Sequence, residues 1–277
     1  MPDRYALFGN PVAHSASPDL HSAFARQTGQ NLVYDKCEIA PGDFTAAVQA
    51  FFANDGKGLN VTLPFKREAC ACADRLTARA RQAQAVNTLW RDASGTLIGD
   101  NTDGVGFIRD LTSNRGIRIA GRRILILGAG GAARGIVGPL LEQTPARLHI
   151  ANRTASRAAA LAESFGGPAT GGGLAEWPTY RFDLIVNATA AGHDEAVAAP
   201  PDECLASDFI GYDLSYGTAA GPFLDWARTH DAAAASDGWG MLVEQAAESF
   251  YLWRGVRPET APVLAGREAF GSGGGNS

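Results

Sequence analysis

Cysteine and long apolar runs are both scarce in this sequence. Only 4 of its 277 residues are cysteine, and Cys37, Cys70, Cys72 and Cys204 lack the spacing of a metal site or a disulfide framework. We therefore expect reduced thiols and no bound metal. No run of about 18 apolar residues occurs, as a membrane-spanning helix would need, and no secretory signal is recognisable. These absences predict a cytoplasmic protein that does not bind membranes.

Positive charge is also in the minority. The 24 Lys and Arg residues are outnumbered by 29 Asp and Glu, which gives a net charge of −5. This balance argues against nucleic acid as the main partner and leaves a small molecule as the expected one. Hydrophobic residues make up 45% of the chain, enough for ordinary cores, and the length predicts two domains.

The clearest motif follows a short apolar run. Residues 124–127 have the length and β-branched content of a buried parallel strand. Gly128, Gly130 and Ala133 then follow with the spacing of a dinucleotide-binding turn. Gly128 permits the tight turn, Gly130 lets the backbone approach a pyrophosphate, and Ala133 lets the next helix pack closely. This context predicts a Rossmann-type nucleotide site rather than a purely structural glycine turn.

No acidic residue ends the next predicted strand, 148–151. NAD sites place Asp or Glu there to bind the ribose 2′-hydroxyl, but this chain has Asn152, followed by Arg153, Thr154 and Arg157. Two guanidinium groups and a hydroxyl can bind a phosphate, which favours NADP over NAD. Alternatively, Thr154 only caps the following helix and both arginines are solvated, although capping and phosphate binding are compatible.

Before residue 122, strands and helices alternate. This predicts a separate α/β domain whose sheet is mostly parallel with an antiparallel edge. Its predicted helices include 18–27, with Ser17 as N-cap, and one helical region over 65–84. Ser15 and Ser17 at a helix N-terminus favour an anion such as a carboxylate, or they only cap the helix.

Two more loops of this domain carry polar residues at strand ends. Asn60 and Thr62 share one face of a predicted strand, and Lys66 follows it. Asn87 and Asp103 lie at two further strand ends. A Lys–Asp pair could donate a proton to a ketone that receives hydride. The simpler interpretations are a solvated surface lysine and an Asp103 that caps a helix.

The rest of the second domain is less regular. Strands are predicted at 183–187 and 209–214, and 166–181 and 190–208 are predicted loops. Residues 239–254 form a strong amphipathic helix, which could return to the first domain.

Taken together, these motifs resemble those of the shikimate dehydrogenase family. The resemblance runs from about Tyr5 to Pro258. The stretches that carry it are FGNPVAHSASP (8–18), NVTLPFK (60–66), AVNT (85–88), GDNTDG (99–104), GAGGAARG (128–135), NRT (152–154), NAT (187–189), DLSY (213–216) and DGWGMLVEQA (237–246).

The resemblance implies reversible NADPH-dependent reduction of 3-dehydroshikimate to shikimate, a step in aromatic amino-acid biosynthesis. It implies Lys66 and Asp103 as the catalytic pair. The implied substrate-binding residues are Ser15, Ser17, Asn60, Thr62, Asn87, Tyr216 and Gln245. The implied NADP(H)-binding residues are Gly128, Ala129, Gly130, Gly131 and Ala132 at the pyrophosphate, Asn152, Arg153, Thr154 and Arg157 at the 2′-phosphate, and Thr189, Leu214 and Gly238 at the nicotinamide.

The family also implies a two-domain α/β fold whose C-terminal helix returns to the first domain. We expect a discontinuous substrate-binding and catalytic domain (1–103 and 239–270), a Rossmann-type NADP domain (104–238) and a disordered Gly/Ser-rich tail (271–277). The protein is expected to be a monomer or a homodimer.

Two departures from the family pattern concern the cofactor side. Ala190 and Ala191 stand where Ser and Gly are usual, and Leu214 stands where Met is common. Three alternatives stay open: the quinate/shikimate branch that uses NAD, a dehydrogenase for another hydroxylated acid, and a non-catalytic NADP-binding regulatory protein. Arg153 and Thr154 argue against the first, and the intact Lys66 and Asp103 argue against the last.

Overall fold

The computed structural model describes residues 1–189 and 198–270, which include two six-stranded sheets. The chain divides into two compact units. The first comprises Met1–Gly106 together with the chain from Leu242 onward, and the second is Phe107–Met241. Ala190, Ala191 and the predicted disordered tail lie outside the described residues.

The first unit contains strands β1–β6 and helices α1–α4. The strands are β1 (Asp3–Gly9), β2 (Leu32–Glu38), β3 (Gly56–Val61), β4 (Arg75–Leu76), β5 (Thr88–Arg91) and β6 (Leu97–Asp100). The helices are α1 (Ser17–Thr28), α2 (Phe44–Ala53), α3 (Lys66–Cys72) and α4 (Ala78–Ala83). Helix α5 (Asp103–Arg109) follows β6 and continues into a π-helical turn, Asp110–Asn114.

The sheet of the first unit has the strand order β2-β1-β3-β5-β6-β4. Strand β5 is antiparallel to both of its neighbours, and the other pairs are parallel. The mostly parallel sheet is therefore confirmed, but the antiparallel strand lies inside the sheet and not at its edge. The tight turn at 92–95 joins β5 to β6 as a hairpin, and the other side of β5 pairs with β3.

The helical region predicted over 65–84 is only partly confirmed, because a short strand divides it into two helices. Helix α3 ends at Cys72, and Ala73 after it is extended with ψ 135°. The carboxylate of Asp74 then accepts a hydrogen bond from the Leu97 N–H at 2.8 Å, which places the following residues beside β6 as strand β4. Thr77 starts helix α4 by accepting from the Ala80 N–H at 3.3 Å.

The second unit is a doubly wound parallel sheet. Its strands are β7 (Arg123–Leu127), β8 (Arg147–Ala151), β9 (Ala169–Gly172), β10 (Phe182–Asn187), β11 (Leu205–Asp213) and β12 (Ala234–Ser236), in the order β12-β11-β10-β7-β8-β9. Its helices are α6 (Gly131–Glu142), α7 (Ala155–Phe165) and α8 (Gly221–Thr229). Ile124 and Ile126 pack into one core and Leu125 and Leu127 into another, so β7 is buried on both faces.

The loops predicted at 166–181 and 190–208 are partly wrong. Residues 169–172 form β9, and β11 begins at Leu205. A Cβ at Gly171 would lie 2.2 Å from the carbonyl oxygen of Ala158 in α7. Glycine is thus required there by close helix–strand packing, whereas in the sequence it suggests a loop.

Helix α9 (Trp239–Arg254) begins in the second unit and continues into the first, and α10 (Ala261–Ala265) follows it. The Phe250 ring is buried near His21 and Phe24, with centroid separations of 6.2 and 5.9 Å. The predicted return of the C-terminal helix is confirmed. Across residues 1–189 and 198–270, no helix has both the length and the apolar character needed to cross a bilayer.

Candidate active site

Lys66 and Asp103 form a close ion pair in the first unit. Lys66 begins α3 just after β3, and Asp103 begins α5 just after β6. The Lys66 Nζ donates to Asp103 Oδ2 at 2.6 Å, and the two side chains are only 13% and 6% exposed. Lys66 is therefore not a solvated surface lysine, and its ammonium group is oriented by one carboxylate oxygen.

Asn87 orients the other oxygen of that carboxylate. Its Nδ2 donates to Asp103 Oδ1 at 2.8 Å, and its Oδ1 accepts from the Thr102 backbone N–H at 2.9 Å. Because a backbone N–H can only donate, the orientation of the Asn87 amide is fixed. Both Asp103 oxygens thus accept from side chains, one from Lys66 and one from Asn87.

Helix α9 brings Gln245 to the same group. Its Oε1 accepts from Asn87 Nδ2 at 3.2 Å and from Thr102 Oγ1 at 3.3 Å, and its Nε2 donates to the Leu242 carbonyl at 2.9 Å. Gln245 is not an ordinary surface glutamine. The structure brings together Lys66, Asn87, Asp103 and Gln245, four of the residues that the family resemblance implies.

Ser15 and Ser17 meet at the start of α1, with a different capping arrangement from the predicted one. Ser17 is the first helical residue, and the N-cap position belongs to Ala16. The Ser15 Oγ accepts from the Ser17 N–H at 3.3 Å and donates to the Ser17 Oγ at 3.1 Å. The prediction of Ser17 as N-cap is wrong because Ser15 supplies the acceptor.

Tyr34 joins the serine pair to Asn60. Its hydroxyl donates to Asn60 Oδ1 at 2.8 Å. Burial raises the pKa of Tyr34 well above its usual value, although a hydrogen bond from Ser17 opposes the shift. Tyr34 therefore stays protonated and remains a donor at neutral pH.

The other end of the Asn60 amide faces the interior. Its Nδ2 lies 3.1 Å from the Asn87 carbonyl, 3.2 Å from Thr88 Oγ1 and 3.1 Å from Ser249 Oγ. Ser249 lies on α9 and donates to the Gln245 carbonyl at 3.0 Å. A buried polar network thus joins β3, β5 and α9 directly behind Asn87.

Thr62 and Tyr216 are less constrained in the structure. Thr62 is half-buried, and its backbone N–H donates to the Phe8 carbonyl at 2.9 Å, while its hydroxyl bonds to none of the described residues. Tyr216 belongs to the second unit, where its ring centroid lies 6.2 Å from that of Trp239. The role of Tyr216 beside Ser15 and Ser17 stays a prediction.

The glycine turn of the second unit fits a pyrophosphate. Gly128 has φ +106°, and a Cβ there would lie 2.9 Å from the Ala188 carbonyl oxygen. Gly130 occupies the N-cap position of α6, and open space surrounds the place of its missing Cβ. Ala129, Gly131 and Ala132 are partly accessible. Free N–H groups at the start of α6 therefore face room for an anion.

The end of β8 presents an exposed basic surface. Arg153, Thr154 and Arg157 are exposed, and Asn152 Nδ2 donates to the Thr154 carbonyl at 3.1 Å. Thr154 occupies the N-cap position of α7, but its side chain makes no capping hydrogen bond. Thr154 therefore occupies the predicted capping position, but its hydroxyl does not cap the helix. No described carboxylate pairs with either arginine, so both can bind a phosphate.

The three predicted nicotinamide-side residues lie on connected loops of the second unit. The Leu214 N–H donates to the Asn187 carbonyl at 2.9 Å, and the Gly238 N–H donates to the Ser215 carbonyl at 2.8 Å. The Thr189 Oγ1 donates to Asn187 Oδ1 at 2.7 Å. The backbone around Asn187 and Ser215 therefore determines where Thr189, Leu214 and Gly238 lie.

Several residues of these networks were not predicted from the sequence. Thr102 lies inside the GDNTDG motif, which was a usable signal. Thr88 lies inside the AVNT motif, which was a signal of the same kind. Tyr34 and Ser249 gave none, because each is far in sequence from its partner Asn60, by 26 and 189 positions.

Three family profiles match the chain. They are described as the shikimate dehydrogenase substrate binding domain over residues 7–89, shikimate / quinate 5-dehydrogenase over 110–197, and the shikimate 5'-dehydrogenase C-terminal domain over 238–265.

Full-length relatives agree with these profiles. Shikimate dehydrogenase (NADP(+)) of Janthinobacterium sp. is 54% identical over 273 residues, covering 95% of this chain and 96% of that protein. The protein of the same name from Methylococcus capsulatus is 51% identical, with 97% of each chain covered. The crystal structure of shikimate 5-dehydrogenase from Thermus thermophilus in complex with NADP(H) and shikimate has a TM-score of 0.84 and 31% identity, covering 97% of this chain and 99% of that one. Such identity over nearly the whole length shows that the chain belongs to the shikimate dehydrogenase family.

Proposed function

We propose that this protein catalyses the reversible, NADP-dependent reduction of 3-dehydroshikimate to shikimate, with Lys66 and Asp103 as its catalytic pair. The observation that carries this proposal is the 2.6 Å ion pair between Lys66 and Asp103, which Asn87 orients in turn. Relatives that are named for the same activity share about half of the residues of the chain.

The first unit binds the substrate. Ser15 and Ser17 lie at the N-terminus of α1, where two hydroxyls and the helix dipole favour the substrate carboxylate. Thr62, Asn87 and Gln245 contact the hydroxyls and the ring. Asn60 is bonded at both ends of its amide by protein groups, so it supports this site mainly by fixing strand β3, which Thr62 directly follows.

The second unit binds NADP(H). The turn from Gly128 to Ala132 binds the pyrophosphate, and Asn152, Arg153, Thr154 and Arg157 bind the 2′-phosphate. Thr189, Leu214 and Gly238 line the nicotinamide side. When bound, NADPH supplies the hydride that reduces the substrate ketone.

Lys66 supplies the proton in the reducing direction. As the substrate carbonyl oxygen gains negative charge, the Lys66 ammonium stabilises it and donates a proton from Nζ. Asp103 orients Nζ, and Asn87 prevents the carboxylate from turning away. In the reverse direction, neutral Lys66 accepts the hydroxyl proton of shikimate. An acid/base group in this position contributes about 10²- to 10⁴-fold to the rate.

The test is to follow NADPH absorbance with shikimate and NADP, and to repeat the assay with quinate and with NAD. Turnover that requires shikimate and NADP supports the proposal. Comparable turnover with quinate or NAD would indicate the neighbouring branch of the family. A folded protein that binds NADP and turns over none of these pairs would contradict the catalytic role.

We also propose that the protein acts in the cytoplasm, as a monomer or a homodimer. The free thiols of Cys37, Cys70, Cys72 and Cys204 support a reducing compartment.

A further inference from the structure

Asn187 and Asp213 form a buried pair that the catalytic scheme above does not use. They end the neighbouring parallel strands β10 and β11 and lie opposite each other in register. Asn187 is 9% exposed and Asp213 is 1% exposed. They therefore occupy the carboxyl end of the sheet, where ligands bind in open α/β folds, without being open to solvent themselves.

The hydrogen bonds around the pair have only one consistent polarity. The Asn187 Nδ2 donates to Asp213 Oδ2 at 2.8 Å, and Asp213 Oδ1 accepts from the Ser215 N–H at 2.7 Å. Asn187 Oδ1 accepts from the Thr189 N–H at 3.2 Å. Because the Thr189 N–H can only donate, a reversed Asn187 amide would set its Nδ2 against that N–H and its Oδ1 against Asp213 Oδ2. Both oxygens of the Asp213 carboxylate accept, so the amide alone gives the pair its direction.

The direction of these hydrogen bonds determines that the Thr189 hydroxyl donates to Asn187. It donates its hydrogen to Asn187 Oδ1 at 2.7 Å, so the oxygen retains acceptor capacity. An acceptor there suits the amide N–H groups of a nicotinamide. On the other strand, the loop that contains Leu214 is fixed by the Ser215 bond to Asp213 and by the Leu214 bond to the Asn187 carbonyl.

We propose that Asn187 and Asp213 act as one unit of positioning residues for the nicotinamide half of NADP(H), because they set the direction of the Thr189 hydroxyl and the place of Leu214. This inference rests on the proposed NADP-dependent function. It predicts that the pair affects the nicotinamide end of the cofactor and leaves the adenosine end, at Arg153 and Arg157, unaffected.

An exchange of the two side chains tests the proposal. In Asp213→Asn, the new amide can turn its NH2 group towards Asn187 Nδ2 or towards the Ser215 N–H. In either orientation two donors face each other. Asn187→Asp sets two carboxylates against each other. The double variant Asn187→Asp/Asp213→Asn restores every donor–acceptor contact with the central bond reversed. Asp208→Asn, an exposed change of the same type on β11, is the matched control.

The readout is the dissociation constant of NADP and of adenosine 2′,5′-bisphosphate, which lacks the nicotinamide, measured by calorimetry. We expect each single variant to weaken NADP binding at least about tenfold, equivalent to about 1.4 kcal/mol. The double variant should return to within about threefold of the wild type, and Asp208→Asn should have no effect. Binding of the bisphosphate should be the same in all variants.

Three results would overturn the proposal. These are unchanged NADP binding in both single variants, an equal loss of bisphosphate binding, and no recovery in the double variant. If the single variants fail to fold, Thr189→Val and Thr189→Ser decide the question, since only the valine variant should lose NADP affinity. A wild-type protein that binds NADP but does not oxidise shikimate would contradict the proposed function. The binding results above would still test the role of Asn187 and Asp213.

Discussion

Arg79 donates to both oxygens of the Asp100 carboxylate, from Nε at 2.7 Å and from Nη2 at 2.6 Å. Arg79 lies on α4 and also donates to Glu248 on α9 at 3.2 Å. Asp100 is buried and ends β6, three residues before Asp103. One guanidinium group therefore connects two elements of the first unit to the segment that carries the proposed catalytic carboxylate.

Loss of this guanidinium should destabilise the protein strongly. We expect Arg79→Met to lower the free energy of unfolding by about 3–5 kcal/mol, because Asp100 would stay buried without its ionic partner. Urea unfolding measures the change. Arg75→Met is the matched control, since Arg75 pairs with Asp92 at the surface and should contribute less than about 1 kcal/mol. Similar small losses in both variants would show that Asp100 does not depend on Arg79.

Replacement of Lys66 should affect chemistry more than binding. We expect Lys66→Met to lower kcat by about 10²- to 10⁴-fold and to leave KM for shikimate nearly unchanged, because the proton is needed only as the alkoxide forms. Steady-state kinetics with saturating NADP measure both constants. Lys57→Met, at an exposed position of β3, should behave like the wild type. An unchanged kcat in Lys66→Met would contradict the assignment.

Arg153 should determine the choice between NADP and NAD. We expect Arg153→Ala to raise KM for NADP by about 10- to 100-fold, as for the loss of a hydrogen bond to a charged phosphate. KM for NAD should stay the same, because NAD carries no 2′-phosphate. The control is Arg147→Ala at the opposite end of β8, which should change neither constant. An equal rise for both cofactors would show that Arg153 acts on something other than the phosphate.

Burial of His21 should make stability depend on pH. The ring stacks on Tyr34 at 4.3 Å, and burial lowers the pKa of His21 to about 3 from its ordinary value of 6.5. Between these values the unfolded chain binds a proton that the folded protein excludes. The free energy of unfolding should therefore fall as pH drops below about 6.5, by about 1.4 kcal/mol per pH unit from this group.

Urea unfolding at several pH values between about 7.5 and 5 tests this effect. His21→Phe should remove that part of the slope, whatever its effect on stability at neutral pH. Phe24→Leu perturbs the same buried cluster without changing a titratable group, so it should lower stability and keep the wild-type slope. The same slope in His21→Phe and in the wild type would show that His21 is not the source.

The elements predicted best from the sequence are those with a strong local pattern. Helix α9 was predicted with its correct bounds, since an apolar stripe recurs along this helix of 16 residues. Strand β7 was predicted because it is buried on both faces and followed by the glycine turn. By contrast, β4 and β12 have 2 and 3 residues, too few for any period to show. Their strand conformation is set by pairing with β6 and β11.

The site could be predicted only as far as its motifs reach. Lys66, Asn87 and Asp103 lie in recognisable stretches, and the structure places them in mutual contact. Tyr34 lies in none of these stretches, and Asp213, although it lies in DLSY, acts through Asn187, 26 positions away. The position of β5 inside the sheet was missed for the same reason, since its pairing with β3 joins residues about 30 positions apart.

Both ends of the described chain contribute to one core, and this has a consequence for biosynthesis. Phe250 on helix α9 packs against the rings of His21 and Phe24, so the first unit cannot complete its interior until α9 has left the ribosome. The second unit, Phe107–Met241, is contiguous and can fold as soon as it emerges. The segment before Phe107 therefore becomes native only after the second unit. During synthesis its apolar surface stays exposed until helix α9 packs against it.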